Sequence, residues 1–455
     1  MGILKKLIGG KRPSAKVVVI GLDGAPCSLL EAMAADGRMP HLAEILSEGT
    51  MRAMDAPLPE ISSVSWATFF TGCNPGRHGI FGFSDLRPSS YDVYFPNLGD
   101  VHGEAVWDIV GRCGGRSVVL NVPTTYPARP LDGVLCSGFV ALDLKKATYP
   151  DSAYRWLKGI GYRIDADMRL ARKSLPRFLE DLKETLALRE KALLHFFDEE
   201  DWDLFIGVIT ATDRLQHFFF EDSLSEKSEY HDDFYGIYRE TDRILGEIHR
   251  RVKERTDTTL LLMSDHGFTR LESHVYLNHW LVEEGYLSFS KKEPESLADI
   301  SGDSRAFALD PSRIYVHEKG RYPRGSVEPG EPARELREEI AERLIRLELD
   351  GRQVLQRVWR KEEIYSGPRA SSAPDLVLVS QPGFDLKGAL AKGVLADRDI
   401  FSGMHTPDDA VFYLRGKPLI KEKPRVMDLS PTILALMGLE VPAEMDGRVL
   451  VSEIA

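Results

Sequence analysis

The stretch KVVVIGLDG, residues 16–24, is an almost unbroken apolar run that stops at an aspartate and a glycine. A strand with no polar face must be covered on both sides, the mark of a buried parallel strand. The pattern recurs in WDLFIGVITATD (202–213) and TTLLLMSDHGF (258–268), which also close on an aspartate. RSVVLNVPTTYP (116–127) and the late DAVFYLRG (409–416) read as further strands. Helical spacing of apolar residues appears near 28–48, over about 174–198, in YGIYRETDRILGEIHRRVKE (235–254) and in LSPTILALMGL (429–439). Strands alternating with helices predict an α/β fold around a mostly parallel sheet.

Between about 284 and 375 the chain changes character, becoming rich in proline, glycine and charge, with a charged helix expected near 331–348. We read 284–375 as an inserted cap region that selects substrate, and 1–283 with 376–455 as the catalytic core. GLDG lacks the remaining glycines of a dinucleotide fingerprint, and GGKRPS is not a phosphate loop, because it lacks G-K-[ST] after a strand.

The 455 residues are 43% hydrophobic and 28% charged, the balance of a globular protein. A net charge of -12 argues against a basic nucleic-acid-binding face. Four cysteines in so long a chain make no disulfide framework. There is no apolar window of ~18 residues and no signal-peptide pattern. The N-terminal ILKKL patch is short, and Lys6 stands where myristoylation needs Ser or Thr. The expectation is a cytoplasmic protein, with oligomeric state unspecified.

The strand-end aspartates Asp23, Asp213 and Asp265 point to function, because open α/β sheets bind ligands beyond the carboxyl ends of their strands. Asp213 precedes His217 by one helical turn, and His266 directly follows Asp265. Carboxylate and imidazole together suit Zn²⁺ or Mn²⁺. Each feature alone also fits a helix cap or a turn.

A second stretch, SSVSWATFFTGCNPGRHGIFGF (62–83), holds several hydroxyls and the pattern C-x-P-x-R, which in sulfatases marks a cysteine for conversion to formylglycine. Taken with VVVIGLDG, ATDRLQHFF, LLLMSDHGF, SGMHTPDDAVFYLRG and DLSPTILALMGLEVPAEMDGRVL, it resembles the alkaline phosphatase superfamily, in the branch of type I phosphodiesterases and nucleotide pyrophosphatases. The blocks occur in the family's order from residue 17 to about 450.

The resemblance implies an alkaline-phosphatase-like three-layer α/β/α sandwich with a mostly parallel central sheet. It implies two divalent metal ions, Zn²⁺ in preference to Mn²⁺, acting on a small phosphorylated substrate. Asp213, His217 and His405 match one ligand set; Asp23, Asp265 and His266 match the other, joined by the nucleophile. Counting nine residues back from Thr71 of the Thr-Gly pair gives Ser62 as that nucleophile, with Ser63 its neighbour and competitor. On the same count the sulfatase cysteine falls at Ser62, so the Cys73 pattern is a decoy. Two divalent ions against three aspartates leave about one positive charge, an attractor for phosphate.

The implied chemistry is hydrolysis of a phosphodiester or nucleotide pyrophosphate through a phosphoseryl intermediate. Phosphomonoester hydrolysis or mutase-like phosphotransfer on the same metal core is the alternative, ahead of sulfatase chemistry or non-catalytic metal binding. The family's asparagine for a phosphoryl oxygen is replaced here by Phe83, which weakens the diester assignment. Arg77, Arg214, Lys319 and Arg321 are candidate substrate contacts for which surface solvation is the simpler reading. Trp66 and Phe69 either line a pocket or pack their helix.

Overall fold

The computed structural model describes residues 12–390 and 392–452. The ILKKL patch lies outside the described residues. The chain divides into two compact units. One runs through Asn74, resumes over Asn97–Phe268 and again from His405; the other comprises Pro75–Pro96 and Thr269–Met404.

The first unit is built on an eight-stranded sheet: β1 (Lys16–Leu22), β2 (Gly49–Met54), β3 (Ser117–Val122), β4 (Gly133–Ser137), β5 (Thr148–Tyr149), β6 (Leu204–Ile209), β7 (Thr258–Met263) and β8 (Ala410–Arg415). Their spatial order is β2-β8-β7-β1-β6-β3-β4-β5. β7, β1, β6, β3 and β4 are mutually parallel, and β8 pairs antiparallel with β7 and β2. All residues of β3 and β6 and all but Lys16 of β1 are buried. Since successive side chains face opposite ways, the sheet is covered on both faces, the three-layer α/β/α arrangement.

Register positions the functional edge. Leu22 aligns with Ile209 and Gly21 with Met263, so β1, β6 and β7 end level with one another. The residues just beyond them emerge side by side. Antiparallel β8 begins at that same edge, which brings in the segment before it.

The helices around this sheet are α1 (Ser62–Thr71), α2 (Leu175–Glu199), α3 (Ala211–Phe219), α4 (His231–Lys253) and α5 (Leu429–Leu436). The helix expected over 28–48 is two, Cys27–Ala35 and Pro40–Ser47. Proline is tolerated in a first helical turn but breaks a helix interior, so Pro40 starts a new helix.

The second unit has its own antiparallel sheet, ordered Ala306–Leu309, Arg313–Val316, Leu376–Ser380, Leu355–Arg360. The charged helix of this region spans Glu331–Leu344, and Leu336, Ile340 and Leu344 bury its apolar stripe in a core with Trp280, Tyr286 and Ile314. The segment 284–375 falls within this unit.

α1 ends at Gly72, whose N–H donates to the carbonyls of Thr68 and Phe69 and whose φ of 65° turns the chain out of the helix. A Cβ there would lie 2.9 Å from Met445 Sδ. Left-handed backbone costs about 1–2 kcal/mol for a residue with a side chain. Gly72→Ala is therefore expected to lose at least that much stability, read as a lower urea midpoint at unchanged m-value.

Candidate active site

Asp23, Asp213 and Asp265 follow β1, β6 and β7, three adjacent strands, and all three are buried. Asp213 sits in the first turn of α3, and His217 lies one turn along. The Nε2 atoms of His217 and His405 lie 3.4 Å and 3.3 Å from Asp213 Oδ1, and 3.3 Å from each other. In the neighbouring set, His266 Nε2 is 3.3 Å from Asp265 Oδ2 and 3.9 Å from Asp23 Oδ1. It is also 3.9 Å from Asp213 Oδ1, so it stands between the two sets. The His266 and His405 rings stack with centroids 3.6 Å apart.

Backbone carbonyls fix two of these imidazoles. His266 Nδ1 lies 3.0 Å from Gly267 O, and His405 Nδ1 lies 2.9 Å from Glu60 O. A proton on each Nδ1, donated to its carbonyl, leaves the Nε2 lone pair facing inward, the tautomer a metal ligand needs.

Ser62 opens α1. Its Oγ is 3.4 Å from Asp23 Oδ1 and 3.3 Å from His266 Nε2. One turn on, Trp66 donates from Nε1 to the other oxygen of Asp23 at 3.2 Å. The i and i+4 positions thus grip one carboxylate from one helix face. Ser63 makes neither contact; its carbonyl accepts from Thr124 Oγ1 at 3.3 Å. Gly24, at φ 65°, donates its N–H to Asp265 Oδ1 at 3.0 Å. A Cβ on Gly24 would crowd His266 Cε1 at 3.1 Å and the Phe268 ring at 3.0 Å.

The electrostatics of the cluster suit a cation. Burial, then the charges of Asp265 and Asp213, hold Asp23 well above the usual carboxylate range. Burial lifts Asp265 to about 6, with Asp213 adding to it against the Gly24 N–H. Burial raises Asp213 too, but His217 and Arg214 outweigh it and hold it low. Burial pushes His266 down to about 4 and lowers His217 and His405, so all three favour the neutral, ligating form.

The donor set fits metal ions. Asp213 Oδ1 and Asp265 Oδ2 are buried with no hydrogen-bond partner among the described residues, although a buried carboxylate oxygen rarely lacks one. Both face imidazole Nε2 atoms. Ligands about 2.0–2.1 Å from a tetrahedral ion lie about 3.3–3.4 Å apart. Asp213, His217 and His405 have that spacing on all three edges. Ser62 has it to both Asp23 and His266.

Two residues differ from their sequence reading. Arg214 is buried, not solvated, and binds Asp165 and Asp213. Trp66 does pack its helix, edge-on to Phe69, but it also holds Asp23. Arg321 pairs with Asp375 at 2.8 Å and Lys319 pairs with Glu328, both within the second unit. Phe83 packs edge-on against Phe95. Cys73 is a buried thiol lodged against the carbonyls of Thr71 and Glu444 at 3.3 Å and 3.5 Å.

Comparison with known proteins gives the chain a family and a shared fold. The model of the family "Type I phosphodiesterase / nucleotide pyrophosphatase" matches residues 17–408. A 2,3-bisphosphoglycerate-independent phosphoglycerate mutase from Rhodopirellula baltica is 66% identical over 35 residues, which is 8% of this chain and only 6% of that protein. The fold is that of phosphonoacetate hydrolase from Sinorhizobium meliloti in complex with phosphonoformate, with a TM-score of 0.61 at 17% identity over 94% of this chain and 97% of that one. Murine ectonucleotide pyrophosphatase/phosphodiesterase 5 has a TM-score of 0.55 at 14% identity over 94% and 96% of the two chains. With its family match running from the first buried strand to just past His405, the chain belongs to the type I phosphodiesterase / nucleotide pyrophosphatase family.

Proposed function

We propose that this protein is a two-metal hydrolase of phosphodiesters or nucleotide pyrophosphates, with Ser62 as its nucleophile. The observation that carries the reading is the placement of Ser62 Oγ, 3.4 Å from Asp23 Oδ1 and 3.3 Å from His266 Nε2, where buried carboxylates and imidazoles converge. Asp23, Asp265, His266 and Ser62 would hold one ion; Asp213, His217 and His405 would hold the other. One carboxylate and two imidazoles in the second set would suit Zn²⁺, with Mn²⁺ the alternative. When bound, two divalent ions neutralise phosphoryl oxygens and acidify a coordinated hydroxyl.

The chain's own part follows from its geometry. Ser62 starts α1, so the positive helix end favours an alkoxide at Oγ and anionic oxygens near it. Oγ attacks phosphorus, the ester oxygen leaves with the bonding pair, and the phosphoryl group stays on Ser62. Water then cleaves the phosphoserine and restores the hydroxyl. Trp66 keeps Asp23 from turning, and the carbonyls of Gly267 and Glu60 keep His266 and His405 in their ligating tautomers.

A diester monoanion matches a site with about one positive charge, whereas a monoester dianion calls for a further cation. Phosphotransfer to an acceptor is the second reading, favoured by the 35-residue match to a phosphoglycerate mutase. The cytoplasm is kept as the expected setting; among the described residues, no helix is long and apolar enough to cross a membrane. The second unit, which contains the segment 284–375, would select the leaving group.

Two predictions follow from these roles. Ser62→Ala lowers kcat by orders of magnitude without unfolding the protein, while Cys73→Ala stays near wild type. An inactive Cys73→Ala variant, or formylglycine at Cys73 by mass spectrometry, would contradict this. Under identical zinc loading, bis-p-nitrophenyl phosphate has a higher kcat/KM than p-nitrophenyl phosphate, and p-nitrophenyl sulfate and phosphonoacetate fall below both. A tenfold monoester preference, about 1.4 kcal/mol at the transition state, would move the protein to the phosphatase or mutase reading.

A further inference from the structure

Arg214 follows Asp213 directly in the sequence and has an unusual environment for an arginine. It is 6% exposed, and its guanidinium lies 4.4 Å from the Phe139 ring centroid. Nε and NH2 both donate to Asp165 Oδ2, at 2.9 Å and 2.8 Å, while NH1 donates to Asp213 Oδ2. Asp165 is itself anchored: its Oδ1 accepts from Thr210 Oγ1 at 3.2 Å and from the N–H of Ala166 at 3.0 Å. Thr210 is the residue immediately after β6, so the chain of bonds begins and ends on the strand that delivers Asp213.

The consequence lies in how Asp213 uses its two oxygens. Oδ2 is taken by Arg214, while Oδ1 is buried, has no hydrogen-bond partner among the described residues and faces the Nε2 atoms of His217 and His405. Asp165 holds the guanidinium through Nε and NH2, so NH1 has a fixed position from which it takes Asp213 Oδ2 and leaves Oδ1 turned to the imidazoles. We infer that Arg214 and Asp165 form a clamp that presents Asp213 to its metal through Oδ1 alone, and that they are positioning residues for that one ion. The inference rests on the two-metal reading above.

Charge and geometry predict opposite results, which makes the clamp testable. An arginine beside a metal ligand repels the ion, so on charge alone its removal tightens metal binding. If Arg214 acts by orienting Asp213, its removal weakens binding. Outer-shell partners of this kind are typically worth about tenfold to hundredfold in metal affinity.

The test loads the full-length wild type, Arg214→Met, Arg214→Lys and Asp165→Asn with zinc. Each is titrated against competing chelators, with bound zinc read by elemental analysis and folding by circular dichroism. The expected result is two ions in the wild type. In Arg214→Met and Asp165→Asn one ion keeps its affinity and the other weakens about tenfold or more. Arg214→Lys fails to restore it, because lysine keeps the charge without the fork. Should Arg214→Met not fold, the isosteric Asp165→Asn decides. Two ions held as tightly as in the wild type, or more tightly, in these variants would overturn the clamp alone. So would full rescue by lysine. A wild type that binds no zinc would overturn the two-metal reading, and the clamp with it.

Discussion

Three carboxylates buried at the ends of three adjacent parallel strands are the constraint on which the rest of the structure turns. Asp23, Asp213 and Asp265 are between 0% and 2% exposed, and the charge of Asp213 opposes ionisation of both Asp23 and Asp265. Burying like charges together is costly unless cations enter or the groups neutralise. The protein supplies one cation of its own, Arg214, on the outer side of Asp213. On the inner side it supplies neutral imidazoles and two carboxylate oxygens unpartnered among the described residues, a donor set suited to divalent ions.

The fold serves that arrangement. Strands buried at all or all but one residue cannot slide or flip without exposing apolar surface, so the level ends of β1, β6 and β7 are rigid mounts. Each functional carboxylate is then pinned by a second contact. Trp66 holds Asp23, the Gly24 N–H holds Asp265, and Arg214 holds Asp213. Ser62 and Trp66 lie one helical turn apart, so the helix that presents the hydroxyl also fixes the carboxylate beside it. Precise placement of reacting groups by packed supports is what brings a nucleophile into attacking position.

The three aspartates were legible in the sequence because a buried parallel strand and its terminal acid have a local pattern. His217 and His266 were legible because they sit one turn or one residue away. Ser62 and His405 carry no such local signal: each lies far along the chain from its partners, and only the resemblance to a known family points to them. Arg214 was misread because a charged residue in a helix is normally solvated. Its helix offered only a partial clue, since Arg214 shares its face with Ala211 and Phe218 as well as with His217. Trp66 was half legible: its burial follows from its size, but a contact to Asp23, 43 residues away in sequence, does not. The split of the 28–48 segment was written in Pro40 and was missed because the apolar spacing carries on across it.

The central claim is that this cluster is a pair of metal sites meeting at Ser62. Anomalous diffraction from zinc-loaded crystals, recorded at energies on either side of the zinc edge, tests it most directly. The account predicts two zinc peaks per chain, one among Asp23, Asp265, His266 and Ser62, the other among Asp213, His217 and His405. No peak at these residues, or a single ion that Ser62 does not approach, would contradict it.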